Sequence, residues 1–378
     1  MPTASLTLLC LSHLNWDHVW QRPQQLMSRF VGSCRVIYVD PPEIQPGSEP
    51  PWLQERPGTD LVSVLRPIFS ADLLDPAGHA YRSMWLRLLP EVLDLAGPDT
   101  ILWVFSPLAD YLVAAAQQQV KLAVYDCMDD LSSFKDGTAE MRVREAHLLT
   151  LADLVFTGGR SMYEARRDRH ERVYCFASGV DVQHYAPEHV VPLTPAAIAS
   201  IPQPRLGYFG VLDERIDWQL IATIAEQRLD WQWVLIGPTA KVDPAELPQA
   251  PNIHYLGQQP YAELPGLLQS FDLAVMPFAL NDATRFISPT KTLEYLAGGK
   301  LVISTSVQDV VATYQDLVSI ADGAEAWIAE IERLLNVPES ERAARRQQVL
   351  PLLERGSWDG IAMQMWTLMQ ERLRERAV

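Results

Sequence analysis

Lys291 and Glu294 stand three residues apart in the stretch ISPTKTLEYLAGG, a spacing that sets an ammonium and a carboxylate on one face of a helix. Ser288 before Pro289 suits an N-cap followed by proline at the first helical position, with Thr290 next. Free backbone N–H groups at such a start attract phosphate, and Lys291 adds a full positive charge. Glu294, one turn on, can accept hydrogen bonds from vicinal hydroxyls such as those of a ribose. This is the chemistry of a nucleotide-diphosphate cradle. The plain alternative is a surface ion pair on an ordinary capped helix, which carries about equal weight on these residues alone.

Two further stretches gather reactive side chains. SHLNWDHVWQRPQQLMSRF (12–30) offers His13, Asn15, Asp17, Arg22 and Gln24 among two tryptophans. Tryptophan faces suit sugar stacking, and Asn, Asp and Arg suit hydroxyl or phosphate contacts. The competing reading caps a helix with Asn15 or Asp17 and packs both tryptophans in the core. YDCMDDLSSF (125–134) places Asp126, Asp129 and Asp130 at the end of an apolar run. Clustered carboxylates repel one another, which raises a pKa and suits a general base. Asp126, which closes the run, is the first choice, and Asp129 is the second. Here the alternative is that Asp130 or Ser132 caps the next helix. A cation site is disfavoured because no further ligand is evident. RSMYEARRDRHERVY (160–174) concentrates five arginines, which reads as a solvated face or a contact with anionic lipid. The segment 78–97 carries Trp85, suited to a membrane surface or to the core.

These residues need elements to hold them. The chain has 378 residues, 48% hydrophobic and 21% charged, so two globular domains are expected. A formal net charge of −16 argues against nucleic acid as a partner. Four cysteines without pairing pattern, no leader-type segment and no long apolar run suggest the cytoplasm. The histidines do not cluster as metal ligands do, and no cofactor is indicated. Short β-prone runs at 6–12, 34–40, 61–67, 100–106, 121–127, 154–158 and 173–178 alternate with helical periodicity. This predicts parallel α/β architecture. Five prolines between 186 and 204 interrupt it as a linker would, and the alternation resumes at 205–210. Further runs follow at 231–237, 253–257, 273–278, 301–305 and 317–321. Two doubly wound domains in tandem would face each other across a cleft.

In order and spacing, ADLVFTGGRSMYEARRDRHERVYCFASGVDVQHY (152–185), PRLGYFGVLDERID (204–217), WQWVLIGP, NIHYLGQQPYAELPGLLQSFDLAVMPF and the SPTKTLE helix resemble the GT-B glycosyltransferases. The likeness is greatest to family-four-like (group 1) enzymes of bacterial exopolysaccharide and cell-wall polymer assembly. It implies two Rossmann-like domains, 1–186 on the acceptor side and 205–356 on the donor side. Residues 187–204 would link them, and the helix 357–378 would return to the first. It also implies a metal-independent hexosyltransferase using a UDP- or GDP-linked sugar and a saccharide or lipid-linked acceptor, with peripheral contact at the inner membrane face. By position, Lys291 matches a phosphate ligand and Glu294 the second Glu of an E-x7-E motif. Arg215 resembles a basic phosphate ligand, and Gly257–Gln258–Gln259 a turn that contacts the base. The first Glu of the motif would fall at Phe286, so Asn281, Thr284 or Arg285 would have to substitute. The family's usual histidine after the fourth strand is missing from FSP (105–107). That leaves retention or inversion open, with an aspartate base as in xanthan-type glucuronosyltransferases one course. A nucleotide-sugar epimerase of the same architecture and a non-catalytic donor-binding subunit are the alternatives.

Overall fold

Leu9 and Leu11 point to one side of the first strand, Leu8 and Cys10 to the other, and all four are buried in separate cores. A strand covered on both faces is what a parallel sheet requires, and it explains the continuous apolar runs. The computed structural model describes residues 6–59, 61–75, 78–133, 137–189 and 196–376.

The first sheet comprises β1 (Thr7–Leu11), β2 (Arg35–Val39), β3 (Glu43–Gln45), β4 (Trp52–Thr59), β5 (Val62–Ser70), β6 (Thr100–Val104), β7 (Leu122–Cys127), β8 (Leu154–Thr157) and β9 (Val173–Cys175). Its order is β3-β5-β2-β1-β6-β7-β8-β9, with β4 paired antiparallel to β5. The second sheet comprises β10 (Arg205–Phe209), β11 (Gln232–Ile236), β12 (Ile253–Tyr255), β13 (Leu273–Met276), β14 (Val302–Ser304) and β15 (Ser319–Ile320). Its order, β12-β11-β10-β13-β14-β15, is wholly parallel.

In both sheets the winding reverses beside the first strand, between β1 and β6 and between β10 and β13. Loops leaving the carboxyl ends of those strands diverge and open a crevice there. The loops after β1 (12–21) and after β10 and β13 carry Asp17, Arg215 and the approach to Lys291, and the loop after β7 carries Asp129.

The 187–204 stretch is only partly visible, since 190–195 lie outside the described residues. The short helix Ala196–Ala199 precedes β10. The terminal helix Trp358–Arg376 packs on the first sheet, burying Trp358, Ile361, Met365 and Met369 with β1, β6 and β7 residues. At its start the Trp358 N–H donates to the Val180 carbonyl, and the Val180 N–H donates to the Gly356 carbonyl. Gly179 is needed there, because a Cβ would lie 2.8–2.9 Å from Ile361 and Trp358. The hairpin β4–β5 was not anticipated at β4, whose Arg-Pro-Gly content obscures the alternation.

Candidate active site

A cavity of roughly 570 Å³ lies between the sheets, lined by Asp17–Arg22, Met128 and Asp129 from the first and by residues of the second. The second sheet builds its side of the floor from glycines. Gly210 ends β10 with φ +142° and Gly237 ends β11 with φ +144°, a region that disfavours side chains. A Cβ on Gly237 would sit 1.9 Å from the Gly210 carbonyl, and one on Gly210 would sit 2.1 Å from Lys291 Cε. The lysine therefore runs across bare backbone, and its Nζ stands 5.5 Å from the Tyr208 ring centroid.

The helix holding Lys291 spans Thr290–Ala297, with Pro289 at the N-cap position and no side-chain cap. This corrects the expectation that Ser288 caps it. Pro289 has extended backbone (φ −66°, ψ 120°), so the helix begins one residue later than expected. No described residue accepts from the Thr290 or Lys291 N–H, so the helix start is open toward the cavity, where Ser288 and Thr290 also lie. Burial lowers the Lys291 pKa, partly opposed by Glu294. Burial raises Glu294 to about 7, opposed by Lys291 and by Tyr185. The Tyr185 hydroxyl is buried without a hydrogen bond of good geometry and faces the Glu294 carboxyl. Arg215 lines the cavity and is gripped by Asp213, Nε to both carboxylate oxygens at 3.0 Å and Nη2 to Oδ2 at 2.7 Å. Asp213 aims the guanidinium and offsets its charge.

Asp126 and Asp129 separate into two roles. Asp126 is 0% exposed and bonded by Arg22 through Nε and Nη2 at 2.9–3.1 Å, while Arg22 Nη1 donates to the Phe176 carbonyl at 2.7 Å. The first-choice base is thereby corrected. Its lone pairs are taken by a buried guanidinium, and it does not line the cavity. Arg22 reaches the cavity wall with its charge spent inside. Asp129 does line the cavity, and no described residue hydrogen-bonds its carboxylate. Burial raises its pKa against the pull of Arg215, Arg22 and Lys291. Asp130 accepts from Ser132 N–H and Oγ, as a local cap does.

Other expected contacts lie elsewhere. Asn15 is exposed and accepts from Arg66, outside the cavity, whereas Asp17 lines it while paired with Arg56 at 2.8 Å. Asn281 braces its loop, accepting from Thr284 N–H and donating to the Glu214 carbonyl. Neither Asn281 nor Arg285 lines the cavity. Phe286 explains the missing carboxylate, for it packs against the first sheet's core with Arg285 5.1 Å from its ring centroid. Gly257 shapes the turn (φ +65°) and accepts from Gly237 N–H, and only Gln258 and Gln259 reach the cavity. Trp85 belongs to the core, and four arginines of 160–174 are paired within the protein: Arg166 and Arg169 with Glu145, Arg167 with Glu164, Arg172 with Glu375. Among the described residues no group of three or more His, Cys, Asp or Glu is placed to hold a metal ion. Nor is any described helix long and apolar enough to cross a membrane. Sequence reasoning missed Tyr185, Tyr208, Asp213 and Tyr261. Tyr208 and Tyr261 flank motifs that were read, and only the fold turns them toward the cavity.

Residues 203–337 match the model of the family described as glycosyl transferases group 1. A Bacillus subtilis (strain 168) protein, provisionally named the teichuronic acid biosynthesis glycosyltransferase TuaH, is 25% identical over 204 residues. That match covers 49% of this chain, and the chain spans 50% of the relative's length. An alpha,alpha-trehalose-phosphate synthase (UDP-forming) from Burkholderia xenovorans superposes with TM-score 0.71 at 12% identity, covering 96% of this chain and all of the other. The sucrose-phosphate synthase of Thermosynechococcus elongatus gives 0.67 at 16%, covering 97% and 98%. The chain thus has the GT-B fold, and its second sheet lies within the stretch that matches the group 1 glycosyl transferase model.

Proposed function

We propose that this protein transfers a sugar from a nucleotide-diphosphate sugar to a saccharide or glycolipid acceptor in the assembly of a surface polysaccharide. The observation that carries the reading is the convergence of Lys291, the uncapped helix start at Thr290 and Arg215 on one cleft between two sheets. Such a set stabilises a diphosphate as it departs, from positions prepared before the reaction. Glu294 accepts from the ribose hydroxyls and Gln258–Gln259 borders the base. Asp129 takes the proton of the acceptor hydroxyl as that oxygen attacks the anomeric carbon and the bond to the diphosphate oxygen breaks. The group 1 domain and the likeness to a relative named for teichuronic acid synthesis support the polymer assignment. Lysine, helix dipole and arginine together compensate the leaving charge, so transfer is expected to need no metal.

The test is a thermal-shift screen of nucleoside diphosphates and nucleotide sugars, followed by transfer assays with and without EDTA. Lys291→Ala should weaken nucleoside-diphosphate binding by about tenfold or more, the loss of one charge-assisted contact, and leave nucleoside binding nearly unchanged. Conversion of free nucleotide sugar without acceptor would mark an epimerase instead. Nucleotide binding with no turnover on any acceptor would mark a binding subunit.

A further inference from the structure

Tyr185 is 0% exposed, and its hydroxyl oxygen is buried without a hydrogen-bond partner of good geometry, yet the side chain lines the cavity. Burying a hydroxyl in this way is costly, and folded proteins do it rarely. The ring cannot turn away to relieve the cost. Phe209, at the end of β10, lies alongside it with centroids 6.1 Å apart and planes 7° from parallel. His184 and Tyr261 meet it edge-on at 4.9 Å and 6.2 Å. The backbone is held as well, because Asp181 caps the short helix Val182–Tyr185 and accepts from the His184 N–H at 3.1 Å. The hydroxyl therefore has a set direction, and it faces the Glu294 carboxyl.

Glu294 feels two attractions, the Lys291 ammonium on its own helix and the Tyr185 phenol. Among the described residues Lys291 and Glu294 form no ion pair with each other, although each acts on the other electrostatically. A carboxylate closed onto Lys291 would occupy both charges. A phenol O–H on one carboxylate oxygen instead leaves the ammonium for phosphate and leaves lone pairs for two hydroxyls. Three further tyrosines lie in the field of Glu294, and their hydroxyls are engaged elsewhere. Tyr208 donates to the Val211 carbonyl at 3.4 Å, Tyr261 accepts from Gln25 at 3.0 Å, and Tyr295 accepts from the Phe209 N–H at 3.0 Å.

We propose that Tyr185 positions Glu294 for the donor's ribose. Its O–H holds one carboxylate oxygen and turns the other to the 2′- and 3′-hydroxyls, which sets the preference for ribose over 2′-deoxyribose. This rests on the nucleotide-sugar reading above. Ribose hydroxyls that donate to Glu294 favour its ionised form, and the ionised form is the stronger acceptor for the phenol. A hydroxyl that destabilises the free protein thereby contributes to affinity once a ribose is bound.

The experiment is calorimetric titration of wild type, Tyr185→Phe, Glu294→Ala and the double variant with UDP and dUDP, GDP and dGDP, and inorganic pyrophosphate. Wild type should prefer the ribonucleotide of whichever pair it binds by about tenfold or more, the scale of hydrogen bonds to a charged group. Tyr185→Phe should cut that preference about fivefold, as loss of one net hydrogen bond implies. Pyrophosphate affinity should not change. In the Glu294→Ala background Tyr185→Phe should alter the ratio no further, because the hydroxyl acts through the carboxylate. Thermal melts check folding, and Tyr185→Phe should melt at or above wild type because it removes an unpartnered buried hydroxyl. No ribose preference in wild type, an unchanged ratio in folded Tyr185→Phe, or a further fall in the Glu294→Ala background would overturn the positioning role while the donor site stands. A marked drop in the Tyr185→Phe melting temperature would overturn it too, by showing that the hydroxyl serves the fold. Binding of none of the five ligands by folded wild type would overturn the donor-site reading itself.

Discussion

Glu294 illustrates how a residue's task and its stability cost come from one environment. Its carboxyl is raised to about 7 by burial, so at pH 6 much of it is neutral and cannot serve as a double acceptor. Ribose hydroxyls donate to the ionised form, so affinity for a nucleotide sugar should rise as pH increases from about 6 to about 8. A nucleotide sugar is the right probe because its phosphates do not titrate near neutrality. Glu294→Gln should bind more weakly and flatten that profile. The linkage has the opposite sign for folding. A carboxyl whose folded pKa is raised contributes stability at low pH that is lost as pH rises through about 7. Glu294→Gln should therefore raise the melting temperature at pH 8 relative to wild type, by the equivalent of roughly 1–2 kcal/mol after allowance for partial solvent access. Equal pH profiles for the two proteins would count against Glu294 as the hydroxyl acceptor. Asp129 is the companion case, a cleft carboxylate that no described group hydrogen-bonds. Asp129→Asn keeps its shape and removes the base, so turnover should fall on the order of a hundredfold or more with donor binding retained. A product that retains the donor's anomeric configuration would demote Asp129 from base to orienting group.

At the scale of elements, what matters is how loops at strand ends are held. The Arg22–Asp126 pair ties the start of a helix, the end of β7 and the segment after β9 into one knot, with both side chains at most 3% exposed. The knot stands beneath the 16–21 loop and three residues from Asp129. Removing one partner strands a buried charge, so Asp126→Ala should cost about 3–5 kcal/mol of stability, measured by urea unfolding. A cost under about 1 kcal/mol would mean that water reaches the pair. The knot also explains why the YDCMDD cluster misled the sequence reading. Strand alternation places Asp126 and Asp129 at the same sheet end, but only the partner 104 residues away decides which is consumed. In the second sheet the equivalent device is backbone. Gly210 brings the β10 turn within contact of Lys291, and Gly237 brings the β11 turn against the Gly210 backbone, with no room for a methyl group at either.

For the whole molecule, the fold class was written in local pattern: apolar runs alternating with helical periodicity, broken by prolines, predict paired parallel sheets, and a strand formed at each run so named, with β3 and the antiparallel β4 added to the first sheet. The placement of Lys291, Glu294 and the helix start on one segment was legible too, because its geometry is set by short-range rules. What required the tertiary structure were relations between segments far apart in the chain. Asp309 accepts from the Ser161 N–H at 3.0 Å across the two units, and Phe286 packs against the first sheet's core and does not line the cavity. Arg215 meets Asp213, Tyr261 meets Trp20, and the terminal helix buries Trp358 against the sheet at the opposite end of the chain. Periodicity and capping report on neighbours within a turn or a strand. Which charge is neutralised, which ring is stacked and which carboxylate stays open depend on contacts that form only when the two sheets and their loops are assembled.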